Sequence, residues 1–122
     1  MVMTKKRKEI LEIIEKSNKP LTAEEIYKVN KLKPNFSTIY RTLNFLESKN
    51  LIKSVSFENG PKYFYSTNKH YHFLYCIKCG NIEIFDKCTA TQLEEFVEEK
   101  FDFQIIDHVF YFKGLCKNCQ EG

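Results

Sequence analysis

The stretch 37-STIYRTLNFLESKNLIKSVSFENGPKYFYS-66 decides the fold. Ser37 is placed to cap a helix whose apolar positions Ile39, Leu43 and Leu46 recur at helical spacing as far as Asn50. Two β-prone runs follow, LIKSVSF and KYFYS, separated by Glu58-Asn59-Gly60-Pro61, which is a hairpin signal. Toward the N-terminus, Thr22 and Glu25 have the S/T-x-x-E spacing of a capping box ahead of a second helix, with Ile26 and Val29 facing inward. Thr4 caps a first helix with Ile10, Leu11, Ile13 and Ile14 as its apolar stripe, and Asn18-Lys19-Pro20 ends it. Three short helices and then a hairpin is the order of a winged helix-turn-helix, in which the third helix enters the major groove and the hairpin lies along the backbone. A small α+β domain with no ligand is the plain alternative.

Charge favours the first of these. Residues 1–69 hold 14 Lys/Arg against 7 Asp/Glu, a net of +7, whereas residues 70–122 hold 5 against 9, a net of −4. A basic half joined to an acidic half suggests that the first meets a polyanion. The 122 residues suffice for one domain or two small ones, with a modest core. No apolar run approaches the roughly 20 residues of a membrane span, and the segment MVMTKKRKEILEIIEK has no uninterrupted apolar core of the signal-peptide kind. A cytoplasmic protein with no membrane partner is expected. In that setting five cysteines point to metal ligation or redox chemistry rather than disulfides.

The second half has its own pattern: a strand over 71–77, a CxxCG turn, a strand over 81–85, a helix over roughly 89–100 and a strand over 104–112. The helix would turn Leu93, Phe96 and Val97 inward and the acidic run Glu94, Glu95, Glu98 and Glu99 toward solvent. The expected class is α+β, with a winged helix over 1–68 and a small α/β domain of about three antiparallel strands and a helix over 69–122. So small a second half lacks core, and pairing with a second copy would supply it.

Cys76-Ile-Lys-Cys79 and Cys116-Lys-Asn-Cys119 are two CxxC pairs 36 residues apart. Each pair can clasp one face of a metal through a tight turn, and Gly80 eases the first. Together they make a tetrahedral S4 set that suits structural zinc best; an iron–sulfur cluster or a redox pair is the alternative. Cys88 is left over and reads as a small buried side chain. On a strand, His70 and His72 share one face while Tyr71 and Phe73 share the other. The two imidazoles form a bidentate clamp that His108, on the last strand, could close.

Several of these segments together resemble the ferric uptake regulator family of bacterial metal-dependent repressors. TKKRKEIL, LTAEEIY, STIYRTLNFLESKNLI, the HxH followed by CIKCG, and DHVFYFKGLCKNC occur in family order over almost the whole chain. The resemblance implies a homodimer with an N-terminal winged helix and a C-terminal dimerisation domain, and structural zinc on Cys76, Cys79, Cys116 and Cys119. It also implies a regulatory divalent metal (Zn, Fe, Mn, Co or Ni) that fixes the winged helices on a palindromic DNA operator. Tyr40 and Arg41 would contact bases and phosphates, with Ser37, Thr38 and Asn44 beside them and Arg7 and Lys62 adding positive charge. Arg41 suits guanine or phosphate and Tyr40 a thymine methyl.

The chain departs from the family at two metal sites. In one, the family's positions fall on His70, His72, Thr91 and His108, and Thr91 is a poor ligand. Cys88, Glu94, Glu95 or water would have to supply the fourth position. In the other, which joins the two halves and is usually the main sensor, the positions fall on Pro20, Phe64, Tyr71, Phe73 and Ile84, none of them a convincing ligand. Packing by Tyr71, Phe73 and Phe64 is expected to replace metal there, with regulation passing through His70, His72 and His108. Peroxide sensing by histidine oxidation is not expected, since the sensor histidines are absent. The leading expectation is a metal-responsive repressor of metal homeostasis genes with no small organic substrate. Its alternatives are a constitutive DNA binder with structural zinc only, a zinc-ribbon adaptor that binds protein rather than DNA, and a zinc enzyme using His70, His72 and His108. No general base in a motif such as HExxH and no glycine-rich phosphate loop supports the enzyme.

Overall fold

A computed structural model describes residues 3–30, 35–88 and 90–120. The chain divides into two compact units, Met1–Lys69 and His70–Gly122.

In the first unit, α1 (Lys5–Lys16) begins where the Thr4 side chain accepts a hydrogen bond from Arg7 N at 3.2 Å. A short strand β1 (Leu21–Thr22), absent from the sequence-based expectation, leads directly into α2 (Ala23–Val29). Thr22 therefore serves twice. It is the last residue of β1, and it closes the expected capping box with Glu25 at both ends. α2 stops at Val29, which is exposed instead of facing inward, while Ile26 is fully buried.

The third helix, α3 (Phe36–Ser48), is capped by Asn35 and not by Ser37. The Asn35 side chain accepts from Thr38 N at 2.9 Å, and Ser37 Oγ donates to the same oxygen at 2.8 Å. Asn35 wins because its side chain reaches the orphan N–H three residues on, whereas Ser37 lies already inside the first turn. At the other end Asn50 takes the left-handed conformation (φ 60). Asn50 N–H then bonds Glu47 O and Leu51 N–H bonds Leu46 O, both at 3.0 Å, which is the Schellman pattern.

The expected hairpin follows as β2 (Ile52–Val55) and β3 (Tyr63–Ser66), antiparallel with Ile52 opposite Ser66 and Val55 opposite Tyr63. Glu58 and Asn59 have positive φ, and Gly60 donates to Phe57 O at 2.8 Å. A Cβ on Gly60 would sit 2.9 Å from that same carbonyl oxygen, so the turn needs glycine here. The sheet order is β1-β3-β2. Ile10, Ile14, Ala23, Ile26, Ile39, Leu43, Leu46, Ile52 and Phe64 form one buried cluster that draws on all three helices and the hairpin. This is a winged helix with a closed core.

The second unit is a three-stranded sheet in the order β5-β4-β6, with α4 (Thr91–Phe101) and the short α5 (Lys117–Gln120). β4 (His72–Cys76) pairs antiparallel with β5 (Ile82–Phe85). The α+β class holds, but in one respect the sheet differs from expectation. β6 is confined to Tyr111–Gly114 and runs parallel to β4, with Phe73 opposite Tyr111 and Cys76 opposite Gly114. Residues 103–110 are irregular, so His108 precedes the last strand and is not part of it.

α4 contains no buried residue. Leu93 and Phe96, expected to face inward, are 63% and 56% exposed, and Phe101, Phe103, Ile106 and Val109 are exposed as well. Among the described residues of the second unit, nothing covers this contiguous apolar surface.

The capping assignment is testable by mutation. Asn35→Ala should lower unfolding stability by about 1 kcal/mol and Ser37→Ala by much less, as read from urea unfolding midpoints. Equal losses would contradict the assignment.

Candidate metal centres

The first centre grows out of the parallel pairing. β4 ends at Cys76, and the chain turns so that Gly80 N donates to Cys76 O at 2.9 Å with Gly80 at φ 79. β6 ends at Gly114, whose carbonyl accepts from Ile77 N at 2.9 Å. Cys116 then opens α5, and Cys119 N bonds back to Cys116 O at 3.0 Å. The two CxxC turns consequently lie side by side, with all four Sγ atoms within 4.8 Å of one another.

Zinc–thiolate bonds of about 2.3 Å at tetrahedral angles put sulfurs about 3.8 Å apart. Cys79 Sγ and Cys116 Sγ are 3.7 Å apart. The backbone N–H groups of Cys79 and Cys116 point at Cys76 Sγ, at 3.5 and 3.4 Å. These two donors, first Cys79 and then Cys116, pull the Cys76 thiol down to about 6. Cys119 is pushed up to about 12, first by its hydrogen bond to Cys116 and then by burial. Such a set is arranged to stabilise sulfur negative charge, yet without a cation it can hold little of it.

The second centre lies around the start of β4. His70 and His72 converge with His108 through the same ring atom, Nε2. The separations are 3.0 Å for His70–His72, 3.1 Å for His70–His108 and 3.4 Å for His72–His108. Each Nε2 of a neutral ring is either a donor or an acceptor. In a triangle at least two must be of the same kind, so one edge is always repulsive. One cation at the centre, meeting three lone pairs, removes the conflict.

Cys88 brings its Sγ to 3.3 Å from His108 Nε2 and belongs to the same cluster. It is half-buried and not the isolated core side chain that its leftover status suggested. Glu94 lies on the other side of the ring, with Oε2 3.2 Å from His108 Nδ1, where it orients the imidazole. Glu95 and Thr91 are exposed and outside the cluster. His72 is 1% exposed and stacks on Phe110, with centroids 4.1 Å apart. Burial, followed by its neighbours His70 and His108, lowers its pKa and keeps the ring neutral, the form that coordinates.

Of the five positions expected to lack metal ligands, Phe64 belongs to the core of the first unit and Phe73 is 1% exposed. In the first unit, Ser37, Tyr40, Arg41 and Asn44 form an exposed stripe on α3, with Thr38 half-buried beside it. Arg41 Nη2 donates to Thr38 Oγ1 at 3.3 Å, and Thr38 Oγ1 donates to the Asn35 cap at 2.9 Å. Lys62 is exposed in the wing loop, whereas the Arg7 guanidinium lies 3.7 Å over the Phe45 ring. Asn35, the residue on which this network converges, escaped the sequence reading. An Asn just before an apolar-periodic run was the available signal.

Fold and clusters together define a class: a winged helix joined to a small α+β unit that carries two metal-ligating centres. The profile of the Ferric uptake regulator family matches residues 1–113. A ferric uptake regulation protein from Legionella pneumophila is 32% identical over 97% of this chain and 90% of its own length. The peroxide-responsive repressor PerR of Staphylococcus saprophyticus is 30% identical over 98% and 82%. The structure of the Helicobacter pylori ferric uptake regulator Fur, described as having three functional metal-binding sites, superposes with a TM-score of 0.83 at 28% identity, over 100% of this chain and 84% of that one. The chain belongs to the ferric uptake regulator family. It is a metal-responsive transcription regulator and not an enzyme.

Glu94→Gln should weaken divalent-metal binding at the histidine cluster by about 10–100-fold, since outer-shell partners of ligating histidines contribute that much. Competition with a chromophoric chelator measures it, and binding at the cysteine cluster should not change.

Proposed function

We propose that the chain is a homodimeric repressor that binds a palindromic DNA operator through α3 and the wing, under control of a divalent metal at His70, His72 and His108. The convergence of three Nε2 atoms on one point carries this reading. In the same reading Cys76, Cys79, Cys116 and Cys119 hold structural zinc, supported by their tetrahedral spacing and by the N–H groups aimed at Cys76. That metal ties the C-terminal segment to β4 and compensates for a thin core. Ser37, Thr38, Tyr40, Arg41 and Asn44 face DNA, with Lys62 on the backbone. Arg7 contributes by holding Phe45 of α3 and by adding positive charge. Each phosphate neutralised releases counterions, so binding falls steeply with salt.

A divalent ion held there would supply a fixed point between His70 and His72 at the start of β4 and His108 in the irregular run before β6. The chain's own part is to bring three imidazole nitrogens to one point, hold His108 with Glu94 and bury His72 against Phe110. The exposed apolar residues Leu93, Phe96, Phe101 and Phe103 support dimerisation through the second unit. Sedimentation of a Phe96→Glu variant should show monomers where the parent protein shows dimers, because a charge would be buried in an apolar contact.

Metal analysis paired with operator binding, before and after mild chelation, tests regulation. Two metals per chain, one labile and required for DNA binding, is the expected result, and His108→Ala should abolish the metal response while the cysteine-bound metal stays. One metal per chain, with DNA binding indifferent to chelation, would replace this reading with a constitutive DNA binder.

A further inference from the structure

We propose that Cys88 decides which metal this protein senses: with His70, His72 and His108 it forms a His3Cys donor set that selects zinc over iron and manganese. The inference rests on the regulatory reading above and specifies its metal. Four side chains were open for the fourth position, and the geometry separates them. Glu94 is engaged at His108 Nδ1, 3.2 Å away. The two nitrogens of an imidazole point in divergent directions, so a carboxylate on Nδ1 does not also meet an ion held by Nε2. Glu95 and Thr91 are exposed and lie outside the cluster. Cys88 alone faces the Nε2 side, with Sγ 3.3 Å from His108 Nε2 and within 4.8 Å of the other ligand atoms.

Two properties of this set then act in the same direction. A thiolate is a soft donor that favours zinc, whereas manganese and ferrous iron favour oxygen and nitrogen donors and higher coordination numbers. The number of donors fits as well. His70, His72, Cys88 and His108 offer four ligand atoms within 4.8 Å of one another, the count of a tetrahedral zinc site.

Cobalt(II) reads both properties directly, because tetrahedral and thiolate-bound cobalt have distinct absorption. The test uses full-length protein with zinc retained on the cysteine cluster, titrated with cobalt under anaerobic conditions. One further cobalt per chain should bind with strong visible bands of tetrahedral coordination and a near-ultraviolet sulfur-to-cobalt band. Stoichiometric zinc should displace it, and excess manganese(II) or iron(II) should not. Cys88→Ser should still take up cobalt while losing the near-ultraviolet band and the preference for zinc over iron; Cys88→Ala should lose both in the same way. A weak, six-coordinate spectrum in the parent protein, or an unchanged spectrum in Cys88→Ser, overturns the assignment of Cys88. If His108→Ala still abolishes metal uptake in that case, the regulatory reading stands and only the identity of the fourth ligand falls. If the parent protein takes up no cobalt, both fall together.

Discussion

The parallel pairing of β4 with β6 is the constraint on which the second unit depends. Cys76 stands opposite Gly114 and Phe73 opposite Tyr111, so both strands end on the same side. Their CxxC turns are therefore neighbours. Had β6 run antiparallel, Cys116 would lie a strand length away, roughly 13 Å at about 3.3 Å per residue. No tetrahedral site spans that distance. The same register acts at the other end of β4, where His72 begins the strand, His70 stands two residues before it and His108 lies three residues before β6. One pairing thus builds two centres, one at each end of a five-residue strand.

The two units solve the problem of small size differently. The first closes a core of nine buried residues drawn from three helices and a hairpin, and its caps and turns agree with its packing. The second leaves every residue of α4 unburied and carries apolar side chains to its surface from Leu93 to Phe112. A unit this small that leaves so much apolar surface exposed gains little from burial to set against the entropy of ordering it. Metal ligation at both ends of β4 and a second copy against the apolar face are the additions its composition calls for.

Much of the first unit was legible because local chemistry and burial agree there. Thr4 and Thr22 cap as their spacing indicates, and the hairpin turns at Glu58-Asn59-Gly60. The misreadings have physical causes. Ser37 was outcompeted by an Asn two residues earlier, and α2 stopped before Val29 could be buried. The run 104–112 is rich in β-prone residues, yet only Tyr111–Gly114 finds a pairing partner. Periodicity reports which residues can form a ladder, not whether a neighbouring strand is there to complete it.

The sequence by itself determined the ligand types, the caps at Thr4 and Thr22, the order of the main helices and strands and the family, since these rest on short spacings along one chain. Tertiary structure decided what depends on residues far apart in sequence. It set the direction of β6, turned Cys88 from a spare thiol into a neighbour of His108, and placed Glu94 on the outer nitrogen of that ring. Cys88 and His108 are 20 residues apart and His70 and His108 are 38 apart. Only the pairing of β4 with its neighbours on either side brings those distant positions to one point.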